Sequence, residues 1–280
     1  MMTYQTIKVD GLKIFYREAG DRTKPTMLLL HGFPSASHMF RDLMPALADR
    51  FHLIAPDFPG FGQSSAPSHD DFSYTFDHLT AVTTDFLQAL NLTQFYLYVF
   101  DYGAPIGFRI AMAHPDWIKG IVSQNGNIYQ EGLGPKWATR QDFWDHPTTA
   151  KRDSYRSAFA PKTIIGQYTF GTQPNRVSPD GYLLDIAYTQ SAGYAERQLD
   201  LIYDYQNNIK LYPKFQAYLR AHQPKLLAVW GKNDPSFIYP GAEAFKRDDQ
   251  NTDVELVDSG HFALETHAVV IAAMIKNYFE

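Results

Sequence analysis

Short apolar runs separated by turn residues set the rhythm of this chain. Met27–Leu30, His52–Asp57, Phe95–Phe100, Ile118–Val122, Leu226–Trp230 and Val254–Val257 each read as a buried strand. Residues 4–19 alternate around Asp10-Gly11, a turn signal that predicts an early hairpin. From Ser73 to Leu90, apolar positions fall at Phe76, Leu79, Val82, Phe86 and Leu90. These steps of three and four predict an amphipathic helix. A second helix runs through Ile110 and Met112 to His114-Pro115, and a last one spans about Glu265 to Phe279. Strands alternating with helices imply an α/β class with a mostly parallel sheet and helices on both faces. Residues 128–218 break this rhythm, being aromatic, polar and helix-compatible with no convincing strand. They predict a helical cap inserted into a core made of residues 1–127 and 219–280.

The strand ends carry the chemistry. The carboxyl ends of an open parallel sheet converge on one crevice. Four of them here lead into His31-Gly32-Phe33-Pro34, Asp101-Tyr102-Gly103, Trp230-Gly231-Lys232-Asn233-Asp234 and Ser259-Gly260-His261-Phe262. The run Phe95–Phe100 stops at Asp101, and Gly103, Ala104 and Gly107 open the next helix. Strand, sharp turn and helix with one reactive side chain at the apex make a nucleophile elbow, where glycine admits close backbone approach. Taken singly, Asp101 also suits a helix N-cap, Asp234 a turn and His261 a helix entry. Taken together, the order carboxylate, acid, histidine, each behind a strand, is that of a hydrolytic triad. An apical aspartate attacks saturated carbon, displaces a leaving group and forms an alkyl ester, which water then cleaves at the aspartate carbonyl.

Composition narrows the setting. At 280 residues the chain has room for one large core and an inserted subdomain. Its 45% hydrophobic and 20% charged residues are the balance of a globular protein. A formal net charge of -5 argues against nucleic acid, which recruits a clustered basic patch. No run approaches the roughly 18 apolar residues of a membrane span. The first residues lack the basic-then-apolar pattern of a secretion signal, so a cytoplasmic location is expected. Without cysteine, disulfides, thiolate catalysis and cysteine metal sites are excluded. The histidines show no metal-ligand spacing, and no metal or cofactor is expected. Many of the 18 tyrosines lie between residues 129 and 218, either as ordinary half-buried packing or as a pocket of phenolic donors. No heptad or exposed apolar stripe stands out, so both a monomer and a homodimer are open.

The chain resembles the α/β-hydrolase superfamily over nearly its whole length, and within it the branch with aspartate nucleophiles. The resemblance rests on HGFP at 31–34, DFPGFGQS at 57–64, VFDYG at 99–103, WGKND at 230–234 and SGHF at 259–262. It implies Asp101 as nucleophile, His261 as base and Asp234 as the group orienting His261. It also implies an oxyanion hole from the backbone N–H groups of Phe33 and Tyr102, each donor worth on the order of 3 kcal/mol in the transition state. His31 is expected to support the HGFP loop.

This branch holds epoxide hydrolases, haloalkane dehalogenases and haloacetate dehalogenases, and the leaving-group site separates them. Haloalkane dehalogenases place a tryptophan after the nucleophile and often an asparagine in HGxP, where this chain has Tyr102 and Phe33. Val99, two residues before Asp101, fits the dehalogenase pattern better than the glycine usual in epoxide hydrolases. Haloacetate dehalogenases hold a carboxylate with arginines near the nucleophile. Here that stretch is Tyr102-Gly103-Ala104-Pro105, with only Arg109 further along, so no clamp is expected there. Epoxide hydrolases use cap tyrosines as proton donors. Tyr205, in YDYQNNI at 203–209, matches one such position, and Tyr168 is the candidate for the second, ahead of Tyr129 and Tyr188. Trp144, Tyr129 and Phe262 are expected to contact a small substrate with apolar bulk, while Trp144 with His146 is the alternative halide pocket. The resemblance thus favours epoxide hydrolysis to a diol, ahead of dehalogenation. A non-catalytic ligand-binding protein on the same fold is the reading from another class.

Overall fold

The computed structural model describes residues 1–280. Eight strands form one sheet: β1 (Thr3–Val9), β2 (Leu12–Ala19), β3 (Thr26–Leu30), β4 (His52–Pro56), β5 (Phe95–Phe100), β6 (Ile118–Gln124), β7 (Leu226–Gly231) and β8 (Thr252–Val257). Their order across the sheet is β1-β2-β4-β3-β5-β6-β7-β8. The first three in that order are antiparallel, and every later pair is parallel. The β1–β2 hairpin turns on Asp10 and Gly11, with φ of 47° and 78°, the left-handed pair that matches strand twist.

Three helices precede the break in the pattern: α1 (Leu43–Leu47), α2 (Phe76–Ala89) and α3 (Gly103–Ala113). The α2 helix starts at Phe76, later than Ser73, because the Thr75 side chain accepts the His78 N–H and caps it. Five more lie between β6 and β7: α4 (Trp137–Asp145), α5 (Thr149–Ser154), α6 (Pro161–Thr169), α7 (Pro179–Thr189) and α8 (Tyr194–His222). Then come α9 (Pro240–Asp248) and α10 (Leu264–Tyr278). The α8 helix continues past residue 218, since Tyr218 and Leu219 are still buried, and stops where Gln223 turns left-handed.

Alternate residues of the central strands feed two apolar layers, as a pleated strand buried on both faces requires. Leu28, Leu30, Leu97 and Val99 pack with the buried faces of α2 and α3. Met27, Leu29, Tyr98 and Phe100 pack with α1 and α10 on the other side. No helix is long and apolar enough to cross a membrane.

Candidate active site

The apex of the β5–α3 turn is built by steric exclusion. Asp101 has φ of 46°, a left-handed backbone that costs a non-glycine residue about 1 kcal/mol or more. A Cβ on Gly32 would lie 2.4 Å from the Asp101 Cβ, and one on Gly103 would lie 2.3 Å from the Leu30 carbonyl oxygen. Glycine at both places is what lets the His31–Gly32 loop and the start of α3 close on the aspartate. No side chain caps α3, so Asp101 is free of the N-cap role and its carboxylate faces elsewhere.

The Phe33 N–H donates to Asp101 Oδ1 at 2.7 Å, and the Tyr102 N–H also faces the carboxylate. His261 donates from Nδ1 to Asp234 Oδ2 at 2.6 Å. Its Nε2 lies 3.8 Å from Asp101 Oδ2. Asp234 is saturated, accepting also from Asn125 Nδ2 at 2.8 Å and from the backbone N–H of Ser236 and Phe237. Since Asp234 only accepts, Nδ1 carries the imidazole proton and Nε2 is left facing the Asp101 carboxylate. Burial pushes the Asp101 carboxyl up, and the His261 charge and the two N–H groups offset only part of that. Burial also disfavours charge on His261, but Asp234 and Asp101 together outweigh it and hold its pKa above the ordinary value. His31 accepts the Phe58 N–H at 3.1 Å, and burial pushes its pKa down to about 4. A neutral ring therefore braces the loop that carries Phe33.

A cavity of about 350 Å³ opens over this group. Its walls include Phe33, Asp101, Tyr102, Asp234 and His261 from the sheet edge, and Trp137 and Arg140 from α4. The set is chemically sufficient for two steps. The carboxylate can attack carbon, and a neutral His261 can then activate water while the Phe33 and Tyr102 N–H groups receive the oxyanion.

The remaining residues singled out by sequence separate into two groups. Tyr205 is fully buried directly behind the cavity wall, its ring 5.7 Å from that of Tyr102 and 4.8 Å from that of Trp137. Its hydroxyl meets that of Tyr212 at 3.5 Å, and both phenols lie within reach of the Asp101 charge. Tyr168 is not brought to Asp101. Its hydroxyl donates to Asp185 at 2.5 Å and its ring stacks on Phe262 at 3.9 Å, so it ties α6 to α7. Phe262 is consumed in that stack and in edge contact with His261, and does not line the cavity. Tyr129 packs on Phe245 and under Arg247, away from the cavity. Trp144 donates its indole N–H to the Ile202 carbonyl and stands behind Trp137. His146 is exposed. Sequence reasoning missed Trp137, Arg140 and Tyr212. Tyr212 was the most accessible of these, lying seven residues, or two helical turns, after Tyr205 on the same face of α8.

Residues 25–268 match the family described as alpha/beta hydrolase fold. The chain belongs to that family. An uncharacterized hydrolase of Saccharomyces cerevisiae (YNR064C) is 46% identical over 283 residues, covering 96% of this chain and 94% of its own. Haloalkane dehalogenase 2 of Mycobacterium tuberculosis is 34% identical over 282 residues, covering 95% and 91%. Epoxide hydrolase 4 of Mus musculus is 37% identical over 122 residues, 44% of this chain and 34% of its own. The crystal structure of haloalkane dehalogenase DbeA from Bradyrhizobium elkani superposes with a TM-score of 0.83 at 22% identity, covering 100% and 98%, and shows the shared fold. The chain is therefore a hydrolase-fold protein related to both dehalogenases and an epoxide hydrolase.

Proposed function

We propose that this protein hydrolyses epoxides through a covalent alkyl ester on Asp101. One observation carries the choice of leaving group: three phenols, Tyr102, Tyr205 and Tyr212, are grouped within reach of the Asp101 charge, while the indoles nearby are all engaged. Trp137, Trp144 and Trp230 donate their N–H groups to the carbonyls of Ser236, Ile202 and Phe237. A departing halide needs only hydrogen-bond donors, whereas a departing epoxide oxygen is strongly basic and needs a proton. Tyr205 and Tyr102, with Tyr212 behind them, supply protons that can be transferred. Tyr205 keeps the role expected of it, and Tyr168 is replaced because its hydroxyl is bound to Asp185.

In this reading Asp101 Oδ2 attacks an epoxide carbon, the C–O bond breaks, and a phenol protonates the oxygen. His261 Nε2 then takes a proton from water, whose oxygen adds to the Asp101 carboxyl carbon. The resulting oxyanion is held by the Phe33 and Tyr102 N–H groups; its collapse expels the diol oxygen, which takes the proton from His261, and the Asp101 carboxyl gives up its proton as the phenolate regains one. The fully buried His261–Asp234 pair also speaks against a protein that only binds ligand, because binding needs no aligned base.

Intact-mass spectrometry on His261→Gln tests the proposal, since loss of the base should stall the reaction at the ester. An adduct equal to a whole epoxide, mapped to Asp101, is the expected result. An adduct equal to a haloalkane or haloacid minus hydrogen halide would replace epoxide hydrolysis by dehalogenation.

A further inference from the structure

The cavity contains two cations with no anionic partner. Lys136 and Arg140 are four residues apart at the start of α4, so both point to one side of the helix, and both line the cavity. The Arg140 guanidinium lies 4.4 Å over the Trp137 ring and 5.9 Å from the Tyr205 ring. This cation–π contact holds the guanidinium against the ring, and none of its N–H groups meets a carboxylate. Arg140 also faces the Tyr102 hydroxyl.

No carboxylate of the protein is available to Arg140. Asp234 is saturated by His261, Asn125 and two backbone N–H groups. Asp101 is held by the Phe33 N–H and faces His261, and Arg140 is the weakest of the influences that favour its charge. By contrast, the half-buried Arg41 and Arg152 and the buried Arg109 meet acids, Glu265, Glu196 with Asp200, and Asp77, while the buried Arg197 is held by the Ala192 carbonyl and the Ser191 hydroxyl. A guanidinium in a cavity wall beside a reactive carboxylate, with no acid to pair it, is a site waiting for an anion. We infer that Arg140, assisted by Lys136, binds a carboxylate carried by the substrate at a distance from the carbon that Asp101 attacks. A planar carboxylate matches the two parallel N–H bonds that a guanidinium edge offers. This inference deepens the epoxide reading by naming an epoxy acid as the substrate class, and rests on that reading for the reactive group alone.

Two assays separate the two ideas. The first compares kcat/KM for 3-phenylglycidate and for its uncharged amide. Charged hydrogen bonds of this kind support an acid-over-amide preference that should fall about 10–100-fold in Arg140→Gln. It should fall less in Arg140→Lys, which keeps the charge but not the fork, and less again in Lys136→Gln. The preference should also weaken in about 0.5 M salt, as screening demands at a half-open site. An unchanged preference in Arg140→Gln, with both substrates slowed alike, would overturn the inference and assign Arg140 to the leaving oxygen.

The second assay is calorimetry with the unreactive 3-phenylpropanoate and its amide, which needs no turnover. Binding of the acid that is lost in Arg140→Gln supports the anion site even where neither glycidate reacts, and in that case the epoxide reading fails alone. Equal binding of acid and amide by the unmodified protein overturns the anion site whatever the epoxides do.

Discussion

Asp101 and His261 set each other's protonation, and the proposed reaction changes the balance. Asp101 is one of the charges that hold the His261 pKa above its ordinary value. Once Asp101 is an ester its charge is gone, so one of those influences disappears and the His261 pKa falls. The imidazole then becomes a neutral base at the stage when water must be deprotonated. The acid limb of single-turnover ester hydrolysis should therefore lie at lower pH than the titration of His261 in the free enzyme, followed by NMR. A limb at equal or higher pH would contradict this coupling. In the proposed reaction the phenols act on the other half. Tyr205→Phe should slow ester formation by about 100-fold or more, the usual worth of a positioned general acid, while ester hydrolysis stays within a few-fold. Equal slowing of both steps in rapid-quench kinetics would remove Tyr205 from its proposed role.

Helix α8 is the element that carries Tyr205 and Tyr212, and α3 pins it to the sheet. Arg109 on α3 donates to Asn208 of α8 at 2.7 Å, to Asp77 of α2 at 2.6 Å and to the Pro105 carbonyl at 3.0 Å. Asp204 of α8 in turn accepts the Phe76 N–H at the start of α2. Arg109, the one arginine that the sequence offered near the nucleophile, thus serves positioning and never reaches the cavity. Arg109→Met should leave the buried Asn208 oxygen unpaired and cost about 2–4 kcal/mol of stability, given that the bonds to Asn208 and to the Pro105 carbonyl come from a charged group and are buried. Thermal unfolding checks that loss. Single-turnover kinetics should show ester formation slowed more than hydrolysis, because the phenols ride on α8 while His261 does not. A variant with unchanged melting temperature would show that Arg109 does not pin the helix.

For the whole molecule, the reactive carboxylate opposes folding. A carboxyl whose folded pKa exceeds its unfolded value costs stability once pH is above the folded value, and that cost vanishes below the unfolded value. Asp101 is such a group, raised by burial against the pull of His261 and the N–H donors. Asparagine keeps an oxygen for the Phe33 N–H and tolerates the left-handed backbone at this position. Asp101→Asn should therefore melt higher than the parent at pH 8 by a few degrees, the scale of a single favourable substitution in a protein of this size. The gain should shrink toward pH 4, and no adduct should form. Calorimetric melts across that range provide the check, and a lower melting temperature at pH 8 would refute the account.

Much of the fold and of the site is readable in the sequence. The apolar runs marked the central strands, Asp10-Gly11 marked the hairpin, and the motifs behind four strands marked the edge where Asp101, Asp234 and His261 meet. Those signals are local: strand period, turn geometry and the small residues flanking Asp101 lie within a few positions of one another. The layer of helices over that edge was not readable in the same way. Its helices bury residues against the sheet edge and against each other, so no single apolar stripe tells which side chain faces the cavity. Tyr205 matches a proton-donor position by its local segment and Tyr168 is the candidate for the second, yet Tyr168 meets Asp185 while Tyr205 stands behind Tyr102. Trp144, and not Trp137, carries the expectation of a substrate contact, yet only Trp137 lines the cavity. The sequence by itself determined the sheet and the order of the reactive groups along its edge. Only the tertiary structure decided which phenols and which cation stand beside Asp101, because that depends on how α4, α6 and α8 dock over strands far from them in the chain.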